Sequence, residues 1–90
     1  MRVSLIDDHA LVRAGLEALV NGQPGWSVAW SGEDVDEYLA ASTKSDVVVL
    51  DLSMPGRNGL DLLAEIKHRK PALPVLILSL HDEQHFAIRR

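Results

Sequence analysis

The chain has 90 residues, of which 47% are hydrophobic and none is cysteine. This length favours one small domain, and the lack of cysteine excludes a disulfide framework and a thiolate metal site. Asp7 and Asp8 come too early in the chain for a signal peptide, and the longest apolar runs have only the length of a strand. We therefore expect a cytoplasmic protein that does not enter a membrane.

The formal charge of −4 is distributed unevenly along the chain. Residues 1–66 hold 4 basic and 11 acidic side chains, whereas residues 67–90 hold 5 basic and 2 acidic side chains. An acidic domain repels the phosphate backbone, so this segment is not expected to bind nucleic acid directly. The basic side chains of the last 24 residues are interpreted as solvated helix surface.

In the first half of the chain, apolar residues recur with the periods of strands and helices in turn. The pattern predicts a strand over residues 3–6, a helix over 9–20, a strand over 26–30 and a helix over 33–41. The first helix should end at Asn21-Gly22, and Ser31 is expected near the N-cap of the second. The residues expected on the apolar faces of these helices are Val12, Leu16, Leu19 and Val20, and then Val35, Tyr38 and Leu39.

The second half continues this alternation. The pattern predicts a strand over residues 46–52, a loop over 53–58, a helix over 59–69, a strand over 75–78 and the beginning of a helix over 82–90. Residues 47–50 and 75–78 are uninterrupted apolar runs, which is typical of strands buried on both faces of a parallel sheet. Strands that alternate with helices in this way predict a single α/β domain over residues 1–90, without an internal repeat or a linker.

Polar side chains follow three of the predicted strands at the point where each strand ends. Asp7 and Asp8 follow the first strand, Asp51 lies at the end of the third, and Ser79 follows the fourth. Ligands of an open parallel sheet bind outside the carboxyl ends of its strands, so the three carboxylates converge if the first and third strands are neighbours. Their repulsion favours a hard divalent cation, and oxygen-only ligands point to Mg²⁺. A carboxylate beside Mg²⁺ is also a nucleophile for phosphoryl groups. A hydroxyl such as that of Ser79 can donate a hydrogen bond to an oxygen of the bound phosphoryl group.

Three segments resemble the signature segments of response-regulator receiver domains, namely IDDH at residues 6–9, LDLSMPGRNG at 50–59 and PVLILS at 74–79. The residues around them are most similar to the NarL/FixJ subfamily, whose output domains are of the LuxR type. The resemblance covers all 90 residues and implies a flavodoxin-like, doubly wound parallel sheet. It implies strand order 2-1-3-4 for four of an expected five strands, with the chain ending inside the fourth helix and the output domain absent.

The resemblance also implies a role for each residue at the strand ends. Asp51 matches the phosphoacceptor, and Ser79 matches the switch hydroxyl that moves to the phosphoryl group. Asp8 matches a direct Mg²⁺ ligand, Asp7 an acid that helps to hold the metal, and Ser53 the position whose backbone carbonyl completes the metal site. The implied function is a switch and not an enzyme in the usual sense. A sensor histidine kinase would phosphorylate Asp51, and the phosphorylated domain would control a transcriptional output domain.

Receiver domains also carry a lysine at the end of a fifth strand, where it pairs with the phosphoacceptor. This chain has no counterpart of that lysine. The lysines of the sequence are Lys44, Lys67 and Lys70, and none has the position for that role. Without a fifth strand, the edge of the strand over residues 75–78 and one face of the first and third strands should be exposed. The exposed face is expected to include Val3, Leu5, Val47 and Val49. We therefore expect the isolated chain to form a homodimer or a domain-swapped oligomer.

Two other function classes stay open. A receiver-like interaction or dimerisation module without phosphoryl chemistry agrees with the missing lysine, although the acids and the serine at the strand ends argue against it. An aspartate-nucleophile phosphohydrolase is disfavoured, because such enzymes carry a second aspartate two residues after the nucleophile, where this chain has Ser53.

Six further side chains are interpreted as structural or solvated and not as ligands: His9, Arg13, Trp26, Trp30, His81 and His85. His9 is expected to begin the first helix, and Arg13 to be solvated. The two tryptophans are expected to pack on one face of the second strand. His81 and His85 are four residues apart but lack a third ligand, so we interpret them as surface histidines.

Overall fold

The computed structural model describes residues 1–51 and 59–78 in full, together with the backbone of residues 86–89. The strands are β1 (Arg2–Ile6), β2 (Ser27–Gly32), β3 (Val47–Asp51), β4 (Val75–Leu78) and β5 (Phe86–Arg89). The helices are α1 (Ala10–Asn21), α2 (Val35–Ala40) and α3 (Gly59–Arg69). None of the helices in the described part of the chain reaches the length and apolarity that crossing a bilayer requires.

One sheet contains all five strands in the order β2-β1-β3-β4-β5. β1 pairs in parallel with both β2 and β3, and β3 pairs in parallel with β4. The predicted parallel order 2-1-3-4 is therefore confirmed. Because the register places Ile6 beside Leu50 and Asp51 beside Leu78, β1, β3 and β4 end at the same edge of the sheet.

The fifth strand corrects the prediction of a helix over residues 82–90. Residues 86–89 are extended and pair antiparallel with β4, from Leu78 opposite Phe86 to Val75 opposite Arg89. The expectation of an open β4 edge is therefore wrong, because the chain itself covers this edge. The unpaired backbone groups of a buried apolar strand are satisfied by any segment that can extend beside it, and the Phe-Ala-Ile-Arg sequence suits a strand. The predicted helix start at residues 82–85 lies outside the described residues.

The alternation of side chains along the strands produces a core on each face of the sheet. On one face, α2 and α3 pack against strand residues such as Ile6, Leu50 and Ile77, and this is the larger core. On the other face, Val3 and Leu5 pack with Val20 of α1. Two helices on one face and one on the other give the doubly wound α/β architecture.

The face that carries α1 is covered only in part. A cavity of about 420 Å³ lies between α1 and the sheet, and apolar side chains form most of its lining. Val47 and Val49 are half-buried there, so the expected exposure holds only in part for them. Val3 and Leu5 are buried, so the expectation of exposure is wrong for these two residues. Leu19 was expected on the apolar face of α1 but is 66% exposed at the rim of this cavity. We name this region the α1 groove.

The segment from β2 to α2 differs in detail from the prediction. Asp34 is the N-cap of α2, and its side chain accepts a hydrogen bond of 2.7 Å from the backbone N–H of Asp36. Ser31 instead belongs to β2, and its hydroxyl donates to Glu17 of α1 over 2.6 Å. The prediction of Ser31 near the N-cap is therefore wrong, because a free carboxylate accepts from helical N–H groups and lies one turn closer to the apolar run.

The two tryptophans have different environments. Trp30 packs on Tyr38 of α2, with ring centroids 5.4 Å apart, so the predicted packing role is confirmed for Trp30. Trp26 precedes β2 and is 43% exposed at the α1 groove, so the two rings do not share a packed face. Residues of β2 remain half-buried because this strand forms the outer edge of the sheet.

Candidate functional site

The ends of β1 and β3 bring two aspartates together. Asp51 is the last residue of β3, and Asp7 follows β1 directly, one step beyond the pair formed by Ile6 and Leu50. The backbone N–H of Asp7 donates to the carbonyl of Gly32 over 3.0 Å, which continues the β1–β2 ladder past Ile6 and fixes the backbone of Asp7. Asp7 is 1% exposed and Asp51 is fully buried. Both carboxylates therefore lie inside the carboxyl edge of the sheet.

The candidate site consists of Asp7, Asp8, His9 and Asp51. Each residue offers one ligand atom, and these atoms lie within 4.8 Å of one another. The convergence of the three acids that was expected from strand ends is thus present in the structure. Asp8 lies at the mouth of the cluster, with about a quarter of its side chain exposed (27%). The proposed roles of the acids stay predictions.

His9 is the residue of this cluster that sequence reasoning missed. Its Nδ1 lies 3.2 Å from Oδ1 of Asp7, 3.0 Å from Oδ1 of Asp8 and 3.3 Å from Oδ2 of Asp51. Its backbone N–H also donates to Oδ1 of Asp7 over 2.7 Å. His9 is the N-cap residue of α1 and has extended backbone angles, which turn its side chain back over the strand end. Its place directly after an acidic pair at a strand-to-helix turn is the signal that identifies it.

Arg13 contradicts its interpretation as a solvated side chain. Only 20% of the side chain is exposed, and its guanidinium Nη1 donates to the backbone carbonyl of Asp7. The same nitrogen lies 4.0 Å from Oε2 of Glu33. Arg13 thus connects α1 with the turn that carries the acids, and it directs positive charge to the outside of that turn.

Burial and like charge dominate the electrostatics of the site. Burial raises the pKa of the Asp7 carboxyl; the hydrogen bond from the His9 backbone opposes this rise, and the nearby Asp51 carboxylate adds to it. The pKa of His9 is raised, first by its hydrogen bond to Asp7 and then by the charge of Asp8. Among the described residues, Oδ2 of Asp7 is a buried oxygen without a hydrogen-bond partner. Oδ1 of Asp8 is a second such oxygen, and three carboxylates with two unsatisfied buried oxygens fit a divalent cation with oxygen ligands.

The remaining predicted site residues, Ser53 and Ser79, lie outside the described residues. Leu78, which precedes Ser79 in the sequence, pairs with Asp51 in the β3–β4 register. The side-chain ammonium groups of Lys67 and Lys70 donate to the carbonyls of Leu73 and Thr43, over 2.8 and 2.9 Å. These carbonyls precede β4 and β3, so both lysines lie toward the amino ends of the strands, away from the acids. This agrees with the expectation that neither replaces the family's lysine.

Residues 3–90 match the protein family of response regulator receiver domains. The chain is 32% identical over 88 residues to the transcriptional regulatory protein DegU of Brevibacillus brevis, which covers 96% of this chain and 37% of DegU. A solved two-component response regulator of the LuxR family from Aurantimonas sp. SI85-9A1 is 35% identical, with a TM-score of 0.79 over 90% of this chain and 59% of that chain. The response regulator protein TrrA of Thermotoga maritima, solved in complex with Mg²⁺-BeF, is 28% identical, with a TM-score of 0.77 over 90% of this chain and 70% of that chain.

The substitution Asp7→Asn should stabilise the chain when no divalent cation is present. Because the folded state raises the pKa of Asp7, the ionised carboxylate costs stability at every pH above its ordinary pKa of 3.8. A neutral amide of the same shape should raise the free energy of unfolding at pH 7 by about 1 kcal/mol, measured by urea unfolding in the presence of a chelator.

The gain should shrink as the pH falls toward 3.8, where the wild-type carboxyl becomes neutral as well. The matched control is Asp36→Asn, which makes the same change at an exposed carboxylate of α2 and should alter the free energy of unfolding by less than about 0.5 kcal/mol. Equal effects of the two substitutions on the free energy of unfolding would contradict the view that the buried Asp7 carboxylate costs stability.

Proposed function

Because the chain belongs to the response regulator receiver domain family, we propose that it is the phosphoacceptor switch of a two-component response regulator. In this proposal Asp51 accepts a phosphoryl group from the phosphohistidine of a sensor kinase. A carboxylate oxygen of Asp51 attacks phosphorus, and the P–N bond of the donor breaks as the new P–O bond forms. The observation that supports this role is the position of a fully buried Asp51 within a cluster of acids at the carboxyl edge of a parallel sheet.

The other residues of the site would hold the metal and respond to the phosphoryl group. Asp7 and Asp8 fit Mg²⁺ through carboxylate oxygens, and Ser53 is proposed to add its backbone carbonyl. When bound, Mg²⁺ would offset the negative charge of the carboxylates and of the incoming phosphoryl oxygens. Ser79 is proposed as the switch hydroxyl, which donates a hydrogen bond to a phosphoryl oxygen without carrying the phosphoryl group itself.

The wider function is proposed from relatives that are longer than this chain. The chain spans less than half the length of DegU, which is a transcriptional regulatory protein. We propose that the chain likewise controls a transcriptional output domain, that its partner is a sensor histidine kinase, and that it acts in the cytoplasm. The excess of acidic residues over residues 1–66 supports the view that nucleic acid is bound elsewhere in the longer protein.

One observation favours a second candidate, a receiver-like interaction module that works without phosphorylation. The lysines with described contacts, Lys67 and Lys70, are hydrogen-bonded toward the amino ends of the strands. The cluster of Asp7, Asp8 and Asp51 nevertheless supports phosphoryl chemistry as the first proposal, because a protein interface alone has no need to bury like charges together.

A phosphorylation assay with a radiolabelled small acyl phosphate donor tests the first proposal. Wild-type chain and its longer parent should gain a label that is sensitive to hydroxylamine and depends on Mg²⁺. Asp51→Asn should abolish the label, because the amide keeps the shape of the side chain but is not a nucleophile. Ser79→Ala is the matched control and should retain the label, since Ser79 contacts the phosphoryl group and does not accept it.

Two results would contradict this assignment. A hydroxylamine-sensitive label that persists in Asp51→Asn would place the acceptor at another residue. A Ser79→Ala protein that loses the label as completely as Asp51→Asn would show that Ser79 takes part in acceptance itself. Absence of the label from the 90-residue chain alone, with labelling of the longer parent, would favour the second candidate for this chain.

The isolated chain is also proposed to self-associate, now through the α1 groove instead of an open β4 edge. Leu19 and Trp26 are exposed beside the half-buried Val47 and Val49, so the groove presents contiguous apolar surface. A second copy of the chain can cover this surface and bury its apolar side chains.

Light scattering on two variants of the chain tests the self-association. Leu19→Glu places a charge on the groove and should shift the chain toward the mass of one copy. Leu60→Glu is the matched control, because Leu60 of α3 is 64% exposed, almost as much as Leu19 at 66%, and does not line the groove. A wild-type chain that scatters as a folded monomer at high concentration would contradict the proposal.

A further inference from the structure

The imidazole of His9 lies among three carboxylates and not beside only one. Its Nδ1 is 3.0 Å from Asp8, 3.2 Å from Asp7 and 3.3 Å from Asp51, measured to one oxygen of each. The side chain is 49% exposed, so the opposite side of the ring, with Nε2, can keep its proton toward solvent. Nδ1 faces the cluster and, while no cation is bound, carries the proton that the carboxylates accept. A bound cation would displace this proton, and Nδ1 would then offer its lone pair to the metal.

These separations match those between neighbouring ligands of a small divalent ion. Ligand atoms at about 2.0–2.2 Å from a metal in tetrahedral or octahedral geometry lie about 2.9–3.6 Å from one another. The three distances from Nδ1 of His9 to carboxylate oxygens fall within this range. With all four ligand atoms within 4.8 Å of one another, Nδ1 of His9 lies within reach of a cation that the three acids would share.

A second, independent observation points to an ion at this centre. Oδ1 of Asp7 accepts from the His9 backbone N–H and lies near the ring, but Oδ2 of Asp7 is buried and has no hydrogen-bond partner among the described residues. The Asp7 side chain is only 2% exposed. A buried carboxylate oxygen without a donor costs free energy that a cation in the cluster would recover.

We propose that Nδ1 of His9 is a metal ligand, and that the site therefore prefers a divalent first-row transition-metal ion such as Mn²⁺ over Mg²⁺ by more than the carboxylates alone would give. Imidazole nitrogen binds transition metals well, whereas Mg²⁺ prefers oxygen ligands. The inference rests on the metal site of the proposed function, but it needs no phosphoryl transfer. His9 determines which metal ion is preferred, and the acids bind both ions.

Calorimetric titration with Mn²⁺ and with Mg²⁺ tests this role in the wild-type chain and in His9→Phe, which keeps an aromatic ring but lacks the nitrogen. The affinity for Mn²⁺ should fall in the variant by at least about tenfold, since loss of even an outer-shell partner of a metal ligand costs about 10–100-fold, while the affinity for Mg²⁺ changes by much less. His68→Phe is the matched control, because His68 is an exposed residue of α3, and it should leave both affinities unchanged.

Pulsed electron paramagnetic resonance of bound Mn²⁺ supplies a readout on the wild-type chain that does not depend on how a variant folds. A directly bound imidazole couples its nitrogen to the Mn²⁺ electrons, so the coupling should be present in wild type and in His68→Phe and absent from His9→Phe. Absence of the coupling from wild type, or its persistence in His9→Phe, would overturn the proposal for His9.

The outcomes also separate His9 from the site as a whole. If both ions bind, and His9→Phe weakens or strengthens both by the same factor, the acids form the metal site but His9 does not select the metal. If neither ion binds wild type, and Asp8→Asn behaves like wild type, the metal site of the proposed function fails together with the inference.

Discussion

One electrostatic constraint dominates the carboxyl edge of the sheet, where two carboxylates are buried side by side. Asp7 and Asp51 are almost inaccessible to solvent, and the burial and charge around Asp7 raise its pKa. Such an arrangement costs stability unless positive charge enters it. In the described structure the imidazole of His9 contacts both residues, and the same place suits a divalent cation.

The rest of the fold holds this edge in place. The parallel pairing of β1 with β3 fixes the register that puts Asp7 next to Asp51, and the apolar cores on both faces of the sheet stabilise that pairing. Arg13 fixes the turn after β1 through the carbonyl of Asp7. The geometry of the site is therefore set by backbone register and by one helix, and the side chains contribute the charge.

Much of this arrangement follows from local patterns in the sequence. Apolar runs such as residues 47–50 identify the inner strands, and acids directly after a strand must lie at its carboxyl edge in a parallel sheet. What the patterns missed depends on contacts between distant segments. His9 looks like an ordinary helix residue, and its contact with Asp51 arises only when β3 lies beside the start of α1. Arg13 likewise looks solvated until the turn after β1 places the Asp7 carbonyl and Glu33 beside its guanidinium. The strand Phe86–Arg89 is a similar case, because pairing with β4 outweighs the expected helix.

The thermal unfolding midpoint with and without Mg²⁺, at pH 7 and constant ionic strength, tests the central claim most directly. If the clustered carboxylates bind a divalent cation, saturating Mg²⁺ should raise the midpoint, since ligand at about 100 times its Kd stabilises the folded state by about 2.7 kcal/mol. The rise should be much smaller in Asp8→Asn, which removes one charge from the mouth of the cluster. A midpoint that Mg²⁺ leaves unchanged in the wild-type chain would contradict the account.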